Sequence, residues 1–312
     1  MGNWREVGLG FAAVVFGMAA SLAAEPADTV PIPLGGETTV DDTSRNAFGN
    51  PAANLRDERL SDFFVGNSFF KRNWVQAPAS TGARDGLGPL FNATSCAACH
   101  MLDGRALTTR HDSAARPAPG LLVRLSVPGA DEHGGPVPEP HYGGQFATQA
   151  VQGVAPEGEL HVDQVVRRGH YADGTPYRLI EPRYRLTALR YGPMAANTML
   201  SPRLGPQIIG MGLLEAIPEA DLVATAQRQA KQAGSVHGRV NRVWDVDAGA
   251  VIVGRFGWKA NVGSVAHQTA GAFRDDIGIT SARMPQEPCT SVQLACLAAP
   301  RGGATGVPGS AS

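Results

Sequence analysis

The chain has 312 residues and a mass of 32.6 kDa, which is enough for one large domain or two small ones. Its 38 glycines and 23 prolines make up about a fifth of the residues, against roughly an eighth in an average protein, and only 18% of residues are charged. These figures exclude a coiled coil and a regular helical bundle, and the hydrophobic content of 43% excludes a disordered chain. Because the formal net charge is −1, nothing indicates binding to nucleic acid or electrostatic attraction to a membrane. We therefore expect a loop-rich globular protein with short elements.

Residues 1–24 have the three-part pattern of a secretory signal peptide. Arg5 precedes an apolar run from Val7 to Ala20, and small residues follow before the chain turns polar at Glu25. An uncleaved membrane anchor is the alternative, but the run is shorter than the ~20 residues that a spanning helix needs. We expect cleavage at about residue 24 and hence a periplasmic protein with no membrane contact after cleavage.

The elements expected further along the chain are short and separated by turns. Apolar residues at spacings of three to five predict a helix from Leu55 to Val75, and the Asp173-Gly174 turn predicts a small β element within residues 160–190. The other predicted segments are an extended arm over 25–50, a short helix over 89–101, a loop over 111–140, a helix over 218–233, a strand over 251–253, a helix over 262–276 and a disordered low-complexity tail over 298–312.

The motif Cys96-Ala97-Ala98-Cys99-His100 is the strongest chemical signal in the sequence. Two thiols separated by two residues match the spacing of the haem vinyl groups, and the adjoining histidine supplies an imidazole to the iron, as in c-type haem attachment. The alternatives are a thioredoxin-like redox pair, a zinc half-site and a plain disulfide. Zinc needs a second pair of ligands at suitable spacing, which the sequence lacks, and a thioredoxin pair follows a strand, whereas a helix is expected here. We predict one covalent haem c held by Cys96, Cys99 and His100.

Cys289 and Cys296 form a second pair without a following histidine. In an exported protein a local disulfide is the simpler interpretation, and two free reactive thiols are the alternative. The sequence leaves both open.

The sixth coordination position of the iron has several candidate ligands. A methionine there suits electron transfer, whereas a vacant or weakly held position suits peroxide or oxygen chemistry. Met211 is a candidate metal ligand, although its apolar neighbours also favour a place in the core. The other candidates are Met194, Met199, His141, His170 and His267.

Charged residues near a haem can bind its propionates or move protons. Arg203, Arg255 and Lys259 flank glycine- and proline-rich turns, so we predict that they bind the propionates, with solvated surface charges as the alternative. Glu215 lies in an apolar stretch just before a helix start. It is therefore either a cap of that helix or a catalytic acid–base group.

Five stretches together carry a family resemblance: Gly86 to His100, Ser201-Pro202-Arg203, Gly210 to Pro218, Gly254 to Ala260 and Asp275 to Thr280. Their order resembles the bacterial di-haem oxidoreductase family, whose members are described as peroxidases and sometimes as thiol oxidoreductases. The resemblance covers about residues 50–297. It implies a mainly α, cytochrome c-like fold that is loop-rich with a small β element.

The expected organisation is a signal peptide over 1–24, an extended arm over 25–50, a haem-binding cytochrome c-like region over 51–297 and a disordered tail over 298–312. Members of the family carry a second haem attachment motif, well downstream of the stretch that matches Cys289 to Cys296, and this sequence contains the motif once. The resemblance therefore implies the first-haem half of a di-haem enzyme.

The expected function is that of an exported c-type haem oxidoreductase of peroxidase type. It would take electrons from a redox partner protein or a small donor and react with peroxide, with His100 as the proximal ligand and Glu215 moving the proton. A mono-haem electron-transfer cytochrome and a nonfunctional truncated fragment are the alternatives.

Overall fold

The computed structural model describes residues 33–107 and 117–302. The expected signal peptide, the first residues of the arm, part of the loop over 111–140 and most of the low-complexity tail lie outside these residues. The structure is 25% helical and 23% strand, with the strands in several small sheets, so the expectation of a mainly α fold is wrong. The physical reason is that glycine and proline turns keep the helices short while distant segments pair as strands.

The helices of the described residues are mostly one to four turns long. They are α1 (Asp57–Lys71), α2 (Cys96–Cys99), α3 (Met211–Ala216), α4 (Glu219–Ala230), α5 (Val265–Ala272) and α6 (Leu294–Ala298), with 3₁₀ turns at Gly36–Thr38, Ala47–Gly49 and Met101–Asp103 and a π-helical turn at Phe273–Ile277. None of the helices in the described ranges combines the length and the apolar composition that crossing a membrane requires.

Three of the four predicted helices are confirmed, and the fourth is wrong over half its length. The first corresponds to α1, the third to α4, and the last to α5 together with the π-helical turn that follows it. Over 89–101, however, Leu90–Phe91 forms a strand, and helix begins only at Cys96. Ser95 sets that start, because its Oγ accepts a hydrogen bond from the Ala98 N–H (3.3 Å) as an N-cap.

The described strands pair as five two-stranded sheets. The strands are β1 (Val75–Gln76), β2 (Asp85–Leu87), β3 (Leu90–Phe91), β4 (Leu121–Ser126), β5 (Gln149–Ala150), β6 (Glu159–His170), β7 (Pro176–Thr187), β8 (Met199–Leu204), β9 (Arg242–Asp245) and β10 (Ala250–Val253). The β1–β2 pair is parallel, and β3–β5, β4–β8, β6–β7 and β9–β10 are antiparallel.

The largest sheet is the hairpin of β6 and β7, in which twelve residues of each strand pair in unbroken register from Glu159–Thr187 to His170–Pro176. Its turn contains Asp173 and Gly174, as the sequence predicted, and Gly174 has φ +85°. Only the root of the hairpin packs on the body of the protein. There Leu160 is buried in a cluster with Val123, Leu125, Tyr142 and Phe146.

A second apolar cluster lies beneath the Cys-x-x-Cys-His motif. Its buried members are Leu87, Phe91, Val151 and Ile277, and Cys96, Trp74 and Phe273 pack against them. The strand segment and the π-helical turn meet closely here: Gly88 N–H donates to the Ile277 carbonyl (2.9 Å), and a Cβ on Gly88 would collide with the backbone of Gly278. This cluster fixes the position of α2.

Candidate functional site

The motif occupies α2 and the residue that ends it. Cys96 and Cys99 are the first and last residues of the helix, and His100 leaves helical geometry with φ −113° and ψ 62°. Both cysteines are free thiols. A single capped turn thus presents the two sulfurs and the imidazole together.

The His100 ring is held by a segment more than a hundred residues away. Its Nδ1 lies 2.8 Å from the carbonyl oxygen of Pro206. Because a carbonyl can only accept, Nδ1 carries the proton, and Nε2 has the lone pair that a metal needs. Gly205 lies against the same ring, where an added Cβ would stand 2.9 Å from Cε1, and the Phe70 ring centroid is 6.3 Å from that of His100.

The two thiols are not activated for redox exchange. Burial, with a contribution from the charge of Asp276, raises the pKa of Cys96 to about 12 and that of Cys99 to about 11. A catalytic thiol pair needs a depressed pKa, so this environment argues against the thioredoxin-like alternative. Within the part of the chain that the structure describes, no three His, Cys, Asp or Glu side chains are grouped to hold a metal ion, so a zinc site also finds no support.

A buried polar network lies next to the thiols. Gln145 Nε2 donates to Asp276 Oδ1 (2.8 Å), and burial raises the pKa of Asp276. Burial acts in the same direction on Asp275, but the guanidiniums of Arg124 and Arg274 outweigh it and lower the pKa of that carboxyl. Arg124 Nη1 and Arg274 Nε each lie 2.7 Å from Asp275.

No role for this network is predicted from the sequence. The sequence does contain one local sign of it. Two adjacent carboxylates, Asp275 and Asp276, begin one of the stretches that resemble the family. Their burial beside the cysteines depends on Gln145 and Arg124, which come from distant segments. The sequence around Asp275 and Asp276 therefore does not predict it.

Arg203 and Lys259, two of the predicted propionate partners, line one groove of about 300 Å³. Neither has an ion pair with a carboxylate among the described residues. Burial lowers the pKa of Arg203, and the charge of nearby Arg124 adds to the effect. Trp258 lines the same groove and donates its indole N–H to the Leu204 carbonyl (2.6 Å). The groove is therefore positively charged, and no carboxylate of the described residues pairs with its two cationic side chains.

Arg255, the third predicted partner, is engaged at the end of α3. Its Nη1 donates to the carbonyls of Leu214 (3.0 Å) and Glu215 (3.2 Å). The Glu215 side chain is itself a cap, since Oε1 accepts from the Val265 N–H (2.7 Å) at the start of α5. The helix it caps is α5, not the α4 helix considered from the sequence. The geometry thus gives both residues a structural role in joining α3 to its neighbours.

The candidate sixth ligands are scattered over the fold. Met211 is the part-buried first residue of α3. Met194 packs against the cluster around Tyr142, Met199 and His170 are exposed on strands, His141 is hydrogen-bonded to a main-chain carbonyl, and His267 lies 3.5 Å from a carboxylate oxygen.

Cys289 and Cys296 are joined by a disulfide. Cys296 lies in α6 and is buried with Leu90 and Ala147. The bridge ties this helix to the segment just before it, and the packing of Cys296 on Leu90 places the helix against the strand β3 that precedes the motif.

Two features of the structure fit a haem on α2. The Nδ1 hydrogen bond of His100 leaves the lone pair of Nε2 available, so this imidazole would be able to hold an iron. The indole nitrogen of Trp74, which packs on the same cluster as Cys96, is buried without a hydrogen-bond partner among the described residues. An unpartnered buried donor is costly, so a polar group of a ligand would satisfy it.

Comparison with known proteins agrees with this geometry. The family model described as "Di-haem oxidoreductase, putative peroxidase" matches residues 31–163 and 190–307. No curated protein and no solved structure is similar enough to count as a match. The matched residues include the motif, Arg203 and Lys259 of the groove and the buried network, and they make up most of the sequence. The chain therefore belongs to the di-haem oxidoreductase family.

Proposed function

We propose that this chain is the first-haem part of an exported c-type oxidoreductase, in which Cys96, Cys99 and His100 hold one haem that reacts with peroxide. The hydrogen bond between His100 Nδ1 and the Pro206 carbonyl is the observation that carries the proposal. It fixes the tautomer and the plane of the imidazole before any metal binds, and free cysteines lie four and one positions earlier. When bound, the haem supplies a redox-active iron.

The other residues have separate tasks in this proposal. Cys96 and Cys99 form the two thioether bonds by adding across the vinyl groups. Arg203 and Lys259 neutralise the propionates. The uncompensated positive charge of the groove that they line supports this assignment. The Trp74 indole donates to a polar group of the same ligand. Arg255 as a further propionate partner, Glu215 as a proton carrier and Met211 as a sixth ligand stay predictions.

Mass spectrometry of the protein exported from a strain with working cytochrome maturation tests attachment. We expect one covalent haem, complete loss of it in Cys96→Ala/Cys99→Ala, and full retention in the matched control Cys289→Ala/Cys296→Ala. Finding no haem on the wild-type protein, or equal haem on both double variants, would overturn the proposal. Recovery of the protein in the periplasmic fraction tests export.

Optical spectroscopy separates peroxidase chemistry from electron carriage. We expect a high-spin spectrum that changes on addition of peroxide. A low-spin spectrum that is indifferent to peroxide would instead identify a mono-haem electron carrier. A redox partner protein or a small donor is the expected source of electrons.

Redox titration tests the propionate partners independently of turnover. Removing a positive charge near the iron stabilises the oxidised form, so Arg203→Gln and Lys259→Gln should each lower the reduction potential. Arg255→Gln is the comparison variant, because its guanidinium is engaged by main-chain carbonyls. Unchanged potentials in both groove variants would remove Arg203 and Lys259 from the haem site.

A further inference from the structure

The outer part of the β6–β7 hairpin lies outside the family match. The two matched stretches end at residue 163 and resume at 190, and the hairpin extends through residues 164–187. Residues 164–189 contain five arginines and two carboxylates, a formal net charge of +3, although the whole chain carries −1. The segment is therefore an addition to the family pattern with its own charge.

One face of this outer part combines positive charge with exposed apolar groups. Arg168 and Arg178 lie directly opposite each other across the hairpin, and Val166 and Ile180 form the next pair on the same face. Ile180 is 40% exposed, and both arginines are exposed. Like charges at directly opposed positions destabilise a sheet, and neither arginine has an ion pair among the described residues.

The opposite face of the hairpin is different, because its arginines are already paired. Arg167 Nε lies 2.6 Å from Glu181, and Arg185 Nε lies 2.8 Å from Asp163. Arg183 shares Glu181 with Arg167, at 3.4 Å. The hairpin arginines without an ion pair among the described residues are thus those of the Arg168–Arg178 face, which an external carboxylate surface would satisfy.

A surface of complementary character is present on α1. Residues three, four, seven and eight positions apart lie on one side of a helix. One side of α1 is exposed and is formed by Asp57, Glu58, Ser61, Asp62, Phe64 and Val65. Phe64 and Val65 are each 57% exposed. Glu58 and Asp62 have ion-pair partners in Arg56 and Arg59 (3.2 Å each), but all four side chains are more than 60% exposed, where such pairs contribute little.

We propose that the Arg168–Arg178 face of the hairpin docks on the α1 face of a second copy of this chain. Two-fold symmetry then forms the contact twice, with each hairpin reaching the other copy's helix. Ile180 and Val166 cover Phe64 and Val65, and the two arginines lie against Asp57, Glu58 and Asp62. Both the charge and the apolar area of the two faces are complementary, which supports a second copy over a partner of another kind.

Sedimentation equilibrium of the full-length exported protein tests the dimer, at micromolar concentrations and at low and high salt. We expect a monomer–dimer equilibrium that weakens as salt rises, because charge pairs are screened. Arg168→Glu/Arg178→Glu should raise the dimer dissociation constant at least about tenfold. The control Arg183→Glu/Arg185→Glu makes the same change of charge on the other face and should leave the constant within about twofold. Unchanged haem content and circular dichroism identify folded variants.

A charge swap gives the decisive comparison. Asp57→Lys/Glu58→Lys on α1 should also weaken self-association. Mixing this variant with Arg168→Glu/Arg178→Glu should restore a dimer, because each hairpin then meets a helix of opposite charge. A monomeric wild type at ~100 µM, or a mixture no tighter than the separate variants, would overturn the proposal and leave an acidic partner protein as the occupant of the hairpin.

Discussion

Replacing Gly205 by alanine tests how His100 is held. The added Cβ would stand 2.9 Å from Cε1 of His100 and 3.4 Å from both ring nitrogens. A contact under 3.0 Å forces a shift, and the backbone cannot easily give way. Gly205 N–H donates to the Gly120 carbonyl (3.0 Å), and its carbonyl accepts from the Ala106 N–H (2.8 Å). The imidazole must therefore move and stretch its bond to Pro206.

The expected cost has two parts. Overpacking of a tight site costs about 1–3 kcal/mol, and loss of the hydrogen bond about 0.5–1.5 kcal/mol, so Gly205→Ala should reduce the free energy of unfolding by about 2–4 kcal/mol. In the haem-loaded protein, an imidazole without its Nδ1 acceptor is a weaker electron donor, so the reduction potential should rise. Urea unfolding followed by circular dichroism and a redox titration measure the two effects.

Gly212→Ala is the matched control. Gly212 lies within α3, and nothing stands within 4 Å of an added Cβ, so the substitution should stabilise the helix by about 0.5–1 kcal/mol. If Gly205→Ala unfolds at the wild-type urea concentration and keeps the wild-type potential, His100 is not held by the Gly205–Pro206 segment, and the tautomer argument fails with it.

Three further predictions concern the surroundings of the site. Ser95→Ala should cost about 1 kcal/mol in urea unfolding through loss of the α2 cap, and Ser95→Thr should recover most of it. Arg124→Met should cost about 3 kcal/mol, since Asp275 keeps only one of its two buried guanidinium partners; a recovery by Arg124→Met/Asp275→Leu would identify the unpaired charge as the cause, and its absence would point to lost packing. Burial raises the pKa of Glu157 from its ordinary value of 4.5 to about 8, so the folded protein keeps this proton over a pH range in which the unfolded chain releases it. Its contribution to stability is therefore fully present below pH 4.5 and lost as pH rises to 8, by up to about 1.4 kcal/mol per pH unit, and thermal melts should show a shallower decline for Glu157→Gln than for the wild type.

The parts of the fold that the sequence predicts are those determined by neighbouring residues. The apolar spacing in α1, the acidic first turn of α4 and the Asp173-Gly174 turn are all local signals, and each element forms where expected. The strand pairs β3–β5 and β4–β8 join segments about 60 and 80 residues apart. Short strands of this kind have no periodic pattern long enough to read, so the chain appeared more helical than it is.

The candidate site divides in the same way. The two thiols and the imidazole come from five consecutive residues, and their spacing alone indicates the chemistry. Pro206, Gly205 and Gln145 reach the site through the fold, and nothing in their own sequence neighbourhoods marks them. Glu215 and Arg255 stand out in the sequence because charges in apolar or glycine-rich stretches are unusual, and in the structure both make hydrogen bonds to main-chain groups at helix ends. Their roles at the site stay predictions.

The burial of the two thiols has a consequence for the order of assembly. A thiol adds to a vinyl group through its thiolate, and in the folded chain the pKa values of about 11 and 12 leave almost no thiolate at neutral pH. The cluster around Ile277 and the buried carboxyl of Asp276 create this environment, and both arrive from residues synthesised long after the motif. If the haem is attached as proposed, the thioether bonds therefore form before that segment docks, because a chain that has already folded keeps both thiols protonated.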